Sequence, residues 1–115
     1  MPTLLDRLTP VALLVASNIF MTFAWYGHLK FKSAPLIGVI VISWGIAFFE
    51  YCLAVPANRL GSALYSAPQL KGMQEVITLL VFAVFSTSYL GQALKWNHWA
   101  GFALIAVAAW LIFLE

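Results

Sequence analysis

Apolar residues in this chain fall into four long runs, over about 9–29, 34–55, 69–90 and 96–114. Each approaches the roughly 20 residues needed to cross a 30 Å hydrocarbon core. The runs are continuous and exceed the roughly ten alternating residues of a barrel strand, so they predict helices. The expected fold is an all-α membrane protein: a single domain over 1–115, with four transmembrane helices in two antiparallel hairpins. Polar punctuation marks the ends. Lys30 and Lys32 close the first run and can snorkel to the interface. Pro56 is expected to stop the second, and Pro68 suits the first turn of the third. Gly91 ends the third, and Trp96 and Trp99 open the fourth as interfacial anchors. The connections "KFKSAP" and "GQALK" are tight, whereas "PANRLGSALYSAP" is longer and suits an interfacial turn of helix.

Composition supports the same reading. The chain is 63% hydrophobic and 9% charged, against about a quarter charged in soluble domains. So few charges cannot cover a small soluble protein, and exposed apolar patches of that size would aggregate. The opening "MPTLLDRLTPVALLVASNIF" superficially suggests a signal peptide. Its apolar run is too long for one, and Asp6 lies beside Arg7 in its charged segment. The net charge is +2, and the basic residues are scattered, which argues against a nucleic-acid partner. Cys52 has no second cysteine to pair with and reads as a small hydrophobe. Four spans would place Arg7, Arg59 and Lys71 on one side and Lys30, Lys32 and Lys95 on the other. That tally gives no orientation by the positive-inside rule. Either the chain inserts both ways, allowing an antiparallel homodimer, or one lysine dominates.

Glu50 and Glu75 are the residues that apolar spans least explain. Each lies about six residues inside its predicted span, roughly 9 Å from the same membrane side. An ionisable group at such depth is a functional candidate by default. Two readings stand. The acids hold helices two and three together as partners of Arg59 and Lys71, or at least one faces a cavity and binds a proton or cationic substrate. Gln74, beside Glu75, is a further binding candidate. Asn18, Thr22 and Trp25 share a helical face, which either bonds a neighbouring helix or lines a cavity suited to a lipophilic cation. Trp25 equally fits an interfacial belt. Ala100, Ala103, Ala106 and Ala109 form a small-residue row suited to a helix–helix or dimer seam. His28 and His98 are isolated, so no metal set is expected. No phosphate loop or nucleophile–base pair is present, and neither a cofactor nor an enzyme activity is expected.

"FMTFAWYGHLKF", "AFFEYCLAVPANRLGSA", "QLKGMQEVITLLVF" and "YLGQALKWNHWAGFALI" together resemble the four-helix family of unknown function 486 (DUF486), which is assigned to the drug/metabolite transporter superfamily. The last stretch is also similar to the hairpin before the final helix of small multidrug resistance transporters, with Gly91-Gln92 and Gly101 at matching places. The resemblance implies a four-helix membrane protein, dimeric, with a transport role. It also exposes a departure. Those transporters carry an essential glutamate in helix one, and the matching place here is Asn18. Asn cannot carry a proton, so coupling would move to Glu50 or Glu75.

The expectation is a multi-pass protein of a bacterial inner membrane. As a homodimer in the lipid bilayer, its eight helices surround a cavity and exchange an unknown small metabolite or cation against protons at Glu50 or Glu75. The alternative is a non-transporting scaffold or accessory subunit whose acids are only ion-pair partners. A lipid-handling protein would need a headgroup-binding basic cluster, which the linear sequence lacks.

Overall fold

A computed structural model describes residues 3–114. Among them there are four α-helices and no strand. They are α1 (Leu4–Tyr26), α2 (Leu36–Gly61), α3 (Ala67–Ser88) and α4 (Trp96–Ile112), and a 3-10 turn over Gly27–Lys30 extends α1. Local chemistry sets the starts of α1 and α3. The Thr3 hydroxyl accepts from Asp6 N–H at 3.1 Å, and the Asp6 carboxylate accepts from Thr3 N–H at 3.0 Å. Asp6 is therefore a helix cap. Ser66 and Gln69 make the same reciprocal box for α3 at 3.3 and 3.0 Å, with Pro68 in the first turn as expected. After α3 the chain reverses at Gly91, whose φ of +69° favours glycine. There Gln92 N–H donates to Ser86 O at 2.9 Å.

One boundary differs from expectation. Pro56 does not stop α2, which runs on to Gly61. A proline deprives the carbonyl four residues earlier of its donor, but membrane helices tolerate such a loss when the rest of the helix stays satisfied. The long middle connection therefore shrinks to 62–66.

Three helices are long and apolar enough to cross a bilayer, and α4 is a shorter apolar helix. At 1.5 Å per residue, the 26 residues of α2 span about 39 Å and the 17 of α4 about 26 Å. Helix α1 packs against both α2 and α3, and α4 packs on α3. This order makes a layer. The chain measures 52 × 34 × 19 Å, and a single row of four helix axes about 9 Å apart is about 32 Å wide. The outer faces are greasy: Trp44 is 71% and Leu104 71% exposed. In water such patches would aggregate, whereas lipid is their natural solvent.

The two ends of the layer are packed differently. At the end carrying the start of α1, the α2–α3 connection and the end of α4 (the terminal end), close contacts use small residues. Ala57 and Gly61 are buried. A Cβ on Gly61 would lie 2.7 Å from Leu70 Cδ2 and 3.4 Å from Pro10 Cβ. Gly72 faces Ala109, where an added Cβ would find Ala109 Cβ at a comfortable 3.7 Å. At the other end, where the two hairpins turn (the hairpin end), aromatics fill the seam. Phe23 meets Phe85 and Tyr89 edge-on, and Phe85 stacks on Tyr89, all with centroids 5.1 Å apart.

These contacts predict an asymmetry between two glycines. Gly61→Val should lower the thermal stability of the purified protein by about 1–3 kcal/mol, since a branched side chain there must displace the buried tip of Leu70 and crowd Pro10. Gly72→Ala should be nearly neutral. Equal melting temperatures for Gly61→Val and the unmodified protein would contradict the packing at Gly61.

Candidate functional site

Two adjacent residues of α1 reach two different helices. Successive residues on a helix point about 100° apart. Ser17 and Asn18, only 1% and 2% exposed, therefore serve α2 and α3 respectively. The Ser17 hydroxyl donates to Glu50 Oε1 at 2.9 Å. The Asn18 amide donates to Leu14 O at 2.8 Å, and its oxygen accepts from the Thr78 hydroxyl of α3. Thr22 donates to the Asn18 backbone oxygen at 2.7 Å. Glu50 and Thr78 are thus tied to α1 at neighbouring positions, forming a polar layer across three helices.

The extension of α2 past Pro56 changes the depth of Glu50. It lies eleven residues before Gly61, roughly 16 Å from that helix end. That is near the midpoint of α2, deeper than the 9 Å expected when Pro56 ends the span. It also removes Arg59 as a partner. Arg59 continues the same helix about 13.5 Å further along, out of reach of Glu50, and makes no ion pair among the described residues. Every buried side-chain nitrogen and oxygen among the described residues has a partner, and the one hydrogen bond of Glu50 runs through Oε1. Oε2 must therefore reach the surface of the chain.

Glu75 is placed otherwise. It lies eight residues into α3, about 12 Å along it, and pairs with Lys71 at 2.8 Å with side chains 47% and 72% exposed. This pair lies within one helix, so it does not join α2 to α3. That join is made by Gln74, whose amide donates to Asn58 Oδ1 of α2 at 2.7 Å. Trp25 is exposed and lines a groove of about 490 Å³ with Tyr26, Phe82, Phe102, Thr22 and Thr78. A second groove, of about 280 Å³, runs between α1 and α2 from His28 past Ser43 to Ile46, one helical turn from Glu50.

The structure thus brings Glu50, Asn18 and their partners together, leaves Glu75 and Lys71 as a separate pair, and sets Arg59 apart. Ser17, Asn58 and Thr78 complete the polar contacts. Ser17 and Thr78 carry no distinct signal in the sequence because Ser and Thr in an apolar helix usually bond their own backbone, and Pro56 predicts Asn58 in the connection that follows it rather than in α2, where it lies. A usable signal was present: a serine directly before a buried asparagine cannot share its face, so it needs a partner of its own.

A family model described as "Putative member of DMT superfamily (DUF486)" matches residues 10–113. No curated protein and no solved structure gives a match.

The two polar contacts should differ in strength. A double-mutant cycle with Asn18→Ala and Thr78→Val should give a coupling energy of about 0.6–1.7 kcal/mol, the range of interhelical bonds in membranes. The cycle Lys71→Ala with Glu75→Ala should give no more than about 0.5 kcal/mol, as for exposed pairs one turn apart. Thermal unfolding in detergent checks both, and the reverse order would mean that Lys71–Glu75 is the structural bond.

Proposed function

The chain belongs to this DUF486 family, and from that premise we propose that it moves a small molecule across the membrane as a homodimer, coupled to protons at Glu50. The coarse part of this reading, a multi-pass membrane protein of transporter type, follows from the family and the apolar helices. The observation that carries the rest is the position of Glu50. Its carboxylate sits near the middle of α2, held by Ser17 through one oxygen, while the other lies on the surface of the chain. At that depth the surface meets hydrocarbon unless something covers it. A charged group at a helix centre costs about 2.5–3.5 kcal/mol on insertion scales. A second copy enclosing a wet cavity over α1 and α2 relieves that cost and gives the carboxylate water from which to take and release a proton. The monomer layer is thin, 19 Å in its shortest dimension, and the grooves beside α1 are open, which also favours two copies. Substrates of the size of a small metabolite or organic cation suit the aromatic groove beside Thr78. A bacterial inner membrane is the setting we assign.

The scaffold alternative draws its support from Glu75. That acid is already neutralised by Lys71, and a local ion pair needs no transport role. We therefore assign Glu75 to structure and Glu50 to coupling.

The test is substrate-dependent proton movement in vesicles containing the purified protein. Glu50→Gln should abolish it, Glu50→Asp should retain a reduced rate, and Glu75→Gln should stay within about twofold of the unmodified protein. Unimpaired proton movement in Glu50→Gln would overturn the coupling role. Loss in Glu75→Gln that Lys71→Gln does not reproduce would return the role to Glu75.

A further inference from the structure

Lysines that are scattered along the sequence are gathered by the two hairpins at one end of the layer. The segments 27–35 and 89–95 contain Lys30, Lys32 and Lys95 together with His28, and His98 follows in the first turn of α4. None of the four carboxylates of the sequence falls in either segment. The two segments are held side by side, because Lys30 lies over the Tyr89 ring at 4.4 Å to its centroid. That contact pins a loop-one lysine onto the residue that begins the second connection.

The terminal end carries the same number of basic residues but meets its own charge. Lys71 is paired with Glu75, and Arg7 adjoins Asp6. At the terminal end, α1 and α3 are capped by Thr3 with Asp6 and by Ser66 with Gln69. At the hairpin end, α2 follows Pro35 with no side-chain cap and no acid in its first turn, and α4 is capped without an acid, by His98 Nδ1 accepting from Lys95 N–H at 3.0 Å. Exposed aromatics flank the lysines there: Phe31 is 58% and Trp96 82% exposed, the placement of residues at headgroup level.

We propose that the hairpin end is a binding surface for anionic phospholipid headgroups, with Lys32 and Lys95 as direct phosphate contacts and Lys30 holding the two connections together. A lysine near an anionic bilayer surface strengthens the attraction about fivefold, so an end with three of them and no acid differs from one whose three basic residues are offset by Asp6 and Glu75. The phosphate supplies the negative charge that neither connection contains. The surface also orients the chain toward the more anionic leaflet, a bias that counting lysines and arginines cannot give because the two sides tie. The inference is independent of the transport reading, since it concerns neither Glu50 nor the grooves.

The test uses the full chain in neutral detergent, with melting temperature as the readout. Phosphatidylglycerol should raise it by several degrees, and phosphatidylcholine and inorganic phosphate at equal concentration should not. Lys32→Gln with Lys95→Gln should remove at least half of the phosphatidylglycerol shift, whereas Arg7→Gln with Arg59→Gln should preserve it. The charge-keeping pair Lys32→Arg and Lys95→Arg should keep it too, and 0.5 M salt should reduce it in the unmodified protein, as expected of an exposed electrostatic contact. A shift unchanged by the Lys32/Lys95 replacement, or one lost instead with Arg7 and Arg59, would overturn the assignment. An equal shift with inorganic phosphate would mean a simple anion site and not a lipid surface. Should the glutamine pair fail to fold, single Lys32→Gln and Lys95→Gln variants give the same readout, each expected to lose part of the shift.

Discussion

Hydrocarbon offers no hydrogen bonds, so each polar side chain in these helices must find its partner inside the protein. That constraint organises the structure around α1. Ser17 and Asn18 are neighbours in the chain and diverge by about 100° around the helix. The first meets Glu50 of α2 and the second meets Thr78 of α3. One short polar step on the central helix therefore fixes the level at which both flanking helices dock. Among the described residues, helix α4 makes no comparable bond to α1. It leans on α3 through the Gly72–Ala109 contact, and its other small residues, Ala100, Ala103 and Ala106, remain exposed. The row read from the sequence as a single seam is thus used inside the chain only at its Ala109 end.

Small residues and aromatics divide the remaining packing between the two ends. Gly61 sits against Pro10 and Leu70, and a methyl group there would have to displace the tip of the Leu70 side chain; this brings α2 close to α1 and α3 at the terminal end. Lipid gives helices no hydrophobic reason to associate, so such close approach is how van der Waals packing is gained. At the hairpin end the helices are spaced by rings. Phe23, Phe85 and Tyr89 fill the seam, and Lys30 covers the outer ring. Between a tight end and an aromatic end lies the polar layer, at the depth where water is least available.

Much of this was legible in the sequence, for reasons that can be named. Four continuous apolar runs dictate four helices, and Pro68 and Gly91 mark real ends because their backbone chemistry is local. Pro56 misled, because the rule that proline ends a helix holds where water competes for the freed carbonyl. In an apolar setting the helix is the cheaper state and simply continues. That single difference moved Glu50 to the helix midpoint and put Arg59 on the same rod instead of on a returning loop. The ion pair at Lys71 and Glu75 was readable from their spacing, since residues four apart share a face. The Ser17–Glu50 bond was not, because it depends on how two helices are rotated against each other, which periodicity alone leaves open when both are apolar on every side.

The placement of Glu50 also bears on the departure at Asn18. By the resemblance to small multidrug resistance transporters, Asn18 stands where their first helix carries its acid, and its amide is used here to tie α1 to α3. The carboxylate that reaches this level comes from α2 and is received by the residue immediately before Asn18. An acid contributed by a neighbouring helix can occupy nearly the same depth and face the same interior as one carried by α1, provided the two helices cross there and a hydroxyl holds it. What transport chemistry requires is a carboxylate at a given depth with one oxygen free. The identity of the helix that supplies it is secondary, so the loss of an acid from α1 does not by itself argue against proton coupling in this fold.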